Sequence, residues 1–591
     1  MSISKKNKIL ILLGLFASIL LSYLYVINGD FIGDDIDRIV YNPELRSFSE
    51  AIFGRLKDRP LLMFIVTFVS QVFGTETIYY RLISILVHSL VAYQIYIFFL
   101  ELNEKSKSGI KNEVALFCAF GFALHPLNSQ AITTAIQISV LFTGLFGLLS
   151  IRYFFKGITG LKDSNYYKSI LCLLIGILFK PNLSFLPLIF LYQHKKISAG
   201  LKSKIFIFVS YIAVIAIPAL VYLVGNVNVQ GKNSTPLTYF LVQSEVILTY
   251  FKLMVIPNNL QFLYDFAIPK NPWASPNWIY VAIHVLIIIA AYFKLPSRLI
   301  WSLFLFFYLS FIPESSFFPI DHLAFEHRTY FSLLLFFLFI GSWIVHYDIN
   351  DSFKRLAKIF TVAVCTLFLI LNQTRNAEIK TYGLWAHHTL LHSSSMIYHN
   401  FSFSVALAKA GNFSLVEPII REYPKKYPGE DYEALEDILD YYMRPDEKRK
   451  YFDKFIVYVE NPNLQQVPKL FLNKILAEDF AHQNDNLNDL VRIENAFTKQ
   501  LPEIMSRKDR FVETGIKANY VGLGLHLTVG PHRYAYRQMD PVGFLRTKVL
   551  LQYYFGQDFI GLQQEVENEL QKQPNSAILK DLLELLKLKR P

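Results

Sequence analysis

The chain has 591 residues, of which 53% are hydrophobic and only 18% are Asp, Glu, Lys or Arg, and its formal net charge is +11. Soluble globular proteins carry about 25% charged residues; here charge is scarce through long stretches of the first 371 residues and ordinary after them, which excludes a wholly soluble chain. Excess Lys and Arg in such a chain marks loops beside anionic lipid, no folded basic surface suited to nucleic acid stands out, and the three cysteines, Cys118, Cys172 and Cys365, read as small hydrophobes in apolar segments.

Taken in chain order, Lys5, Lys6 and Lys8 precede an apolar run over 9–27 that is too long for the core of a cleavable signal peptide. It predicts a retained first helix with its N-terminus in the cytoplasm. A membrane span needs about 20 apolar residues, and the runs that follow predict spans near 79–100, 113–125, 131–150, 168–179, 182–193, 204–224, 277–293, 299–312, 329–347 and 359–371. Most of the loop Lys and Arg fall in 101–113, 152–163, 194–204 and 351–358, and placing these loops in the cytoplasm satisfies the positive-inside bias. Residues 28–78 and 225–276 then lie on the outer side. Their apolar pieces, 61–73 and 246–256, are expected along the interface, because a full span at either would reverse the parity of the later loops. The outline is about eleven spans, an all-α polytopic membrane domain over 1–371. Residues 372–591 follow as a soluble helical domain on the outer side, with an even span count and a cytoplasmic tail as the competing arrangement. Segments 402–428 and 555–588 read as helix, short turn, helix, with turns at Gly411–Asn412 and Pro574–Asn575; they look like degenerate tetratricopeptide-type pairs or a plain helical bundle.

Several polar groups sit at outer turns between apolar runs, where an unpaired charge is expensive. FIGDDIDRIVYNP (31–43) places Asp34 and Asp35 side by side just beyond the first span. A solvated loop is the plain alternative to a carboxylate acting as general base, whose partner would spread the two pKa values apart. Arg59, Lys180 and Arg328 occupy other outer turns and together would suit a lipid phosphate, Arg by bidentate contact and Lys as a point charge. His125 and His327 are candidates either to donate hydrogen bonds or to serve as structural partners in helix packing, with Glu326 adjoining. No HExxH and no Cys-rich ligand spacing is present, so no metal site is assigned and support for a divalent metal is weak.

The order of these features resembles the C-type (GT-C) glycosyltransferases that use polyprenyl-phosphate sugars. The nearest likeness is to the tetratricopeptide-containing, protein O-mannosyltransferase-like branch and its bacterial relatives. The acidic pair with a later Asn matches Asp34, Asp35 and Asn42; an Arg-Pro pair before a His-bearing helix matches Arg59, Pro60 and His88. HPLNSQAIT (125–133), FKPN (179–182), 250–266, FEHRTYFSLL (325–334) and 384–411 follow in the family's order, although Asn182 stands where an acid is usual and His327 separates Glu326 from Arg328. The resemblance implies a multi-pass enzyme of a bacterial cytoplasmic membrane, with its C-terminal domain in the periplasm or outside. Such an enzyme takes a sugar from a lipid-linked donor and places it on an extracytoplasmic acceptor, such as the hydroxyl of a pilin or another envelope protein. Asp35 or Asp34 would be the base, with Asp35 favoured, and Arg328 with Lys180 or Arg59 would hold the departing phosphate. A transporter or lipid-linked sugar flippase is the main alternative, although no symmetry between halves accompanies the spans. A docking scaffold is the other.

Overall fold

Every run expected to span contains a helix in the structure, a computed structural model. It describes residues 5–40, 42–54, 59–103, 111–193, 197–224, 235–264, 266–269, 271–320, 322–346, 351–381, 384, 385, 388 and 389 of a first unit. In a second unit it describes 431–460, 472, 475, 476, 486–506, 527, 528, 533–555, 559, 561–574 and 576–587. In the first unit the helices are α1 (Lys5–Tyr23), α2 (Phe48–Phe53), α3 (Pro60–Phe73), α4 (Thr77–Asn103), α5 (Lys111–Leu124), α6 (Ser129–Thr133), α7 (Ile138–Lys156) and α8 (Ser164–Phe179). They continue with α9 (Leu186–Tyr192), α10 (Leu201–Val224), α11 (Pro236–Val255), α12 (Trp278–Lys294), α13 (Arg298–Leu309), α14 (Tyr330–His346) and α15 (Asp351–Glu378).

Local chemistry sets the helix starts. Asp163 accepts the Asn165 N–H at 2.8 Å ahead of α8, and Ser297 accepts the Ile300 N–H ahead of α13. Thr235 and Thr238 cap one another's backbone at α11, with Pro236 in the first turn, where a missing N–H costs nothing. Five helical stretches among the described residues are long and apolar enough to cross a membrane: Lys6–Tyr23, Thr77–Leu102, Ala135–Lys156, Glu326–His346 and Lys358–Glu378. These make the unit an all-α protein with the character of a polytopic membrane bundle. The expected span at 182–193 shrinks to α9, seven residues long. That is about 10 Å of helix against a hydrocarbon core of about 30 Å. Pro181 holds the chain in a 3-10 turn over Pro181–Leu183, and the helix starts at Leu186 with Pro187 in its first turn.

Close helix contact depends on missing side chains. A Cβ on Gly341 of α14 would stand 2.4 Å from Phe99 of α4 and 2.5 Å from Cys118 of α5. One on Gly147 of α7 would meet Phe331 of α14 and Leu183 within 2.9 Å. With little hydrophobic force between helices in lipid, such small residues let dispersion contacts hold them together.

One end of this bundle gathers the turns around 24–36, 125–137, 180–183, 256–264 and 311–329. The pieces at 61–73 and 246–256 belong to helices whose two ends both lie there. Along α11, Tyr239 donates to Glu314 O, Gln243 to Leu323 O and Tyr250 to Phe325 O, and Met254 O lies 3.1 Å from His125 Nε2. Helix α11 therefore runs across this end of the bundle. Helix α3 starts beside Lys180, within the field of Arg59, and Gly74 just past its last residue accepts from Tyr80 near the start of α4.

The chain forms two compact units, 1–395 and 396–591. The polar residues that mark a composition change from Asn372 point inward from the last turns of α15. Asn372 donates to Leu124 O, Asn376 donates to Ser22 O, and Arg375 pairs with Glu326 at 3.2 Å.

The second unit, by itself, contains helices Asp431–Met443, Lys448–Glu460, Leu487–Ser506, Arg533–Met539, Pro541–Phe555, Leu562–Lys572 and Ala577–Lys587. The last two form the expected helical pair over 555–588, with Pro574 in the turn and Leu562, Val566, Leu579 and Leu582 buried. Glu494 is buried and satisfied by Arg546, Tyr536, Thr498 and Thr547. The segment 402–428 with its Gly411–Asn412 turn, Asn575, and all of 390–411 lie outside the described residues.

Candidate functional site

The acid loop is built by side chains that pair with its backbone. After α1 the chain turns through 24–28. Arg81, buried in α4, donates to carbonyls of this turn and beyond: its guanidinium reaches Gly29 O at 2.7 Å, Asp30 O at 2.6 Å, Val26 O, and Thr133 O at 3.1 Å. Asp35 does the reverse. Its two oxygens accept the N–H groups of Ala135 and Ile136, each at 2.8 Å, at the first turn of the 3-10 helix Ala135–Gln137. Asp35 is fully buried. Burial pushes its pKa up to about 7, against the pull of those two N–H groups and of Arg81. Asp34, its neighbour, is exposed. The adjacent carboxylates thus have separate environments, one bound into the frame and one open to solvent. Asn42 caps the 3-10 turn Pro43–Arg46, accepting the Glu44 N–H and donating to Arg38 O.

The cationic side chains converge elsewhere on the same end. Lys180 follows α8 directly, is buried, and meets Glu314 at 2.6 Å. Arg59 and Arg328 both lie within its electrostatic reach, and all three act on His327. Burial alone would raise the Glu314 carboxyl, but Lys180 and Arg328 outweigh it and hold the group below its usual range. Arg328 donates to His322 O at 2.9 Å and lies over the Phe325 ring, 5.2 Å from its centroid. Among the described residues, Lys180, Arg59 and Arg328 thus bring three cationic groups around His327, with Glu314 paired to Lys180.

The remaining expected residues are placed apart from that cluster. His125 uses both ring nitrogens on the main chain, Nδ1 accepting the Leu127 N–H and Nε2 donating to Met254 O. His88 lies 3.0 Å from Ala123 O and 2.8 Å from Tyr330 Oη, deep among helices. In both, the two ring nitrogens are engaged within the protein. Glu326 is buried against Arg375 and receives the Tyr264 hydroxyl at 3.0 Å. Arg375 in turn lies over Phe262, 4.5 Å from its centroid.

The two halves share one frame. Segment 129–137 is held by Asp35 at Ala135 and Ile136, by Arg81 at Thr133, and by Gln130 at its other end. Gln130 accepts the His327 N–H at 2.8 Å and donates to Phe262 O at 3.1 Å. The acid loop and the cationic turn are thus fixed to the same short stretch of chain. A second wall comes from Trp385, which stands 3.5 Å from a Cβ built on Gly33, a residue with φ of +55° that suits glycine. Sequence reasoning missed Arg81, Gln130, Glu314 and Arg375. A charge inside an apolar run was the available signal for Arg81, and a carboxylate in a turn between apolar runs for Glu314. Among the described residues no group of three or more His, Cys, Asp or Glu side chains is arranged to hold a metal ion.

Comparison with family models, with curated proteins and with solved structures finds no match for this chain.

Proposed function

We propose that this chain is a membrane glycosyltransferase of the GT-C type, moving a sugar from a polyprenyl-phosphate donor to an extracytoplasmic hydroxyl, with a protein as the preferred acceptor class. The observation that carries the proposal is that segment 129–137 ties both the acid loop, with Asp34 exposed on it, and the turn that bears Arg328 beside Lys180 and Arg59. Glycosyl transfer from a lipid phosphate needs those two functions at one face, a base for the acceptor and positive charge for the leaving group.

In this reading Asp34 takes the proton from the acceptor hydroxyl, whose oxygen bonds to the anomeric carbon. The bond from that carbon to the phosphate oxygen breaks, and its electron pair leaves with the polyprenyl phosphate, which Arg328, Arg59 and Lys180 hold. The configuration inverts in this single displacement. Asp35 serves as a positioning residue, since both its oxygens are committed to backbone N–H groups. The N-terminus lies in the cytoplasm of a bacterial inner membrane, and the second unit, a degenerate tetratricopeptide-like array, lies outside and recruits the acceptor. The test is mass spectrometry of envelope proteins and glycolipids from cells with and without this chain. Loss of a sugar mass from an envelope protein is the expected result; an unchanged glycoprotein and glycolipid profile would sink the proposal.

A further inference from the structure

His327 sits among Arg59, Lys180 and Arg328, yet its ring is oriented by a neutral partner. Gln130 has its amide fixed by two main-chain groups of opposite kind: its oxygen accepts the His327 N–H at 2.8 Å, and its nitrogen donates to Phe262 O at 3.1 Å. A flipped amide would set N–H against N–H and oxygen against oxygen. The same Gln130 oxygen lies 3.2 Å from His327 Nδ1. An amide oxygen only accepts, so Nδ1 carries the hydrogen. In the neutral ring Nε2 then holds a lone pair, and burial together with the neighbouring cations opposes a second proton there. Among the described residues no hydrogen bond reaches Nε2, although His327 is 8% exposed. An acceptor on a largely buried ring therefore stands beside Arg59, Lys180 and Arg328, groups that draw an anion. A bare anion has nothing to donate to it.

Building on the reading of this cluster as a phosphate site, we infer that its ligand carries an O–H group on or beside the phosphate and that His327 Nε2 accepts that hydrogen. Two sources share this chemistry: the P–OH of a phosphate monoester, and a sugar hydroxyl next to the glycosidic phosphate. His327 is on this account a specificity-determining residue, and Gln130 the residue that sets its tautomer.

The test uses the full chain in lipid nanodiscs and three probes: farnesyl phosphate, its methyl diester and its glucosyl diester. Parent, His327→Phe, His327→Gln and Arg328→Ala proteins are compared by calorimetric titration after matching their thermal unfolding. Arg328→Ala should weaken all three probes. His327→Phe should weaken the O–H-bearing probes about tenfold, the worth of one hydrogen bond, and leave the methyl diester unchanged, with His327→Gln recovering part of the loss. A loss confined to farnesyl phosphate identifies the P–OH as the donor, and one confined to the glucosyl ester identifies the sugar hydroxyl. If Arg328→Ala weakens all three probes and His327→Phe weakens none or all equally, the phosphate site stands and the inference about His327 falls. If the parent binds none of the three, both fall together.

Discussion

Replacing Asp35 with Asn keeps the side chain's shape and removes its charge, and the structure fixes what that does. Asp35 receives two backbone N–H groups at 2.8 Å in a fully buried setting. Asn offers one oxygen, so one N–H bond survives and the other N–H faces an NH2 group. Leaving a buried donor unmet costs about 1–3 kcal/mol. The parent, however, bears a desolvation cost that Asn escapes. The sign of the pH dependence follows from the Asp35 pKa, raised from 3.8 to about 7 in the folded protein. Between those values the folded state binds more protons than the unfolded state, so the parent loses stability as pH rises through this window and levels off above 7. Asp35→Asn lacks that slope. Its deficit relative to the parent should be larger at pH 5 than at pH 8. Asp34→Asn, on an exposed side chain, should stay within about 0.5 kcal/mol of the parent throughout. Thermal and denaturant unfolding of the purified proteins in one detergent, at both pH values, makes the measurement. Equal stability of Asp35→Asn and parent, or a deficit identical at pH 5 and pH 8, would refute the reasoning.

Lys180→Ala should destabilise the protein by about 1–3 kcal/mol, because it deprives the half-buried Glu314 of its nearest cation while Arg328 remains in reach. Adding Glu314→Gln should restore much of that in the double variant, as a double-mutant cycle of unfolding midpoints will read. Gly341→Val should reduce the folded yield and lower stability by about 1–3 kcal/mol or more, since Phe99 and Cys118 occupy the space its side chain needs; parent-like unfolding would show that α14 has room to move. Arg328→Lys should retain part of the parent's affinity for farnesyl phosphate and Arg328→Ala much less. Identical affinities for both variants and the parent would make Arg328 a packing residue.

The membrane-embedded part of the fold was legible because a span is a bulk property of about 20 residues, and single substitutions do not obscure it. Helix α9 escaped that logic: composition counts apolar residues over 182–193, but Pro181 and Pro187 decide where a helix can begin. The last turns of α15 escaped it in another way. Asn372, Arg375 and Asn376 read as soluble-type residues, yet each bonds to the bundle. Polarity in sequence does not say which way a side chain faces. At the site, sequence reasoning picked out Arg59, Lys180 and Arg328, which the fold brings together, and it also picked out His125 and His88, which it does not. A histidine in an apolar run carries the same signal whether its nitrogens bind a ligand or a main-chain carbonyl. The acidic pair was visible as a pair, but its division of labour depends on Ala135 and Ile136, a hundred residues away in the chain.

The most direct test of the account separates binding from chemistry in one preparation. Parent, Asp34→Asn and Arg328→Ala proteins in nanodiscs are given a radiolabelled polyprenyl-phosphate sugar with envelope proteins from cells lacking this chain, and both retained donor and labelled protein are counted. The account predicts that the parent labels protein, that Asp34→Asn retains donor but transfers no sugar, and that Arg328→Ala loses donor. Transfer by Asp34→Asn at the parent's rate would contradict it.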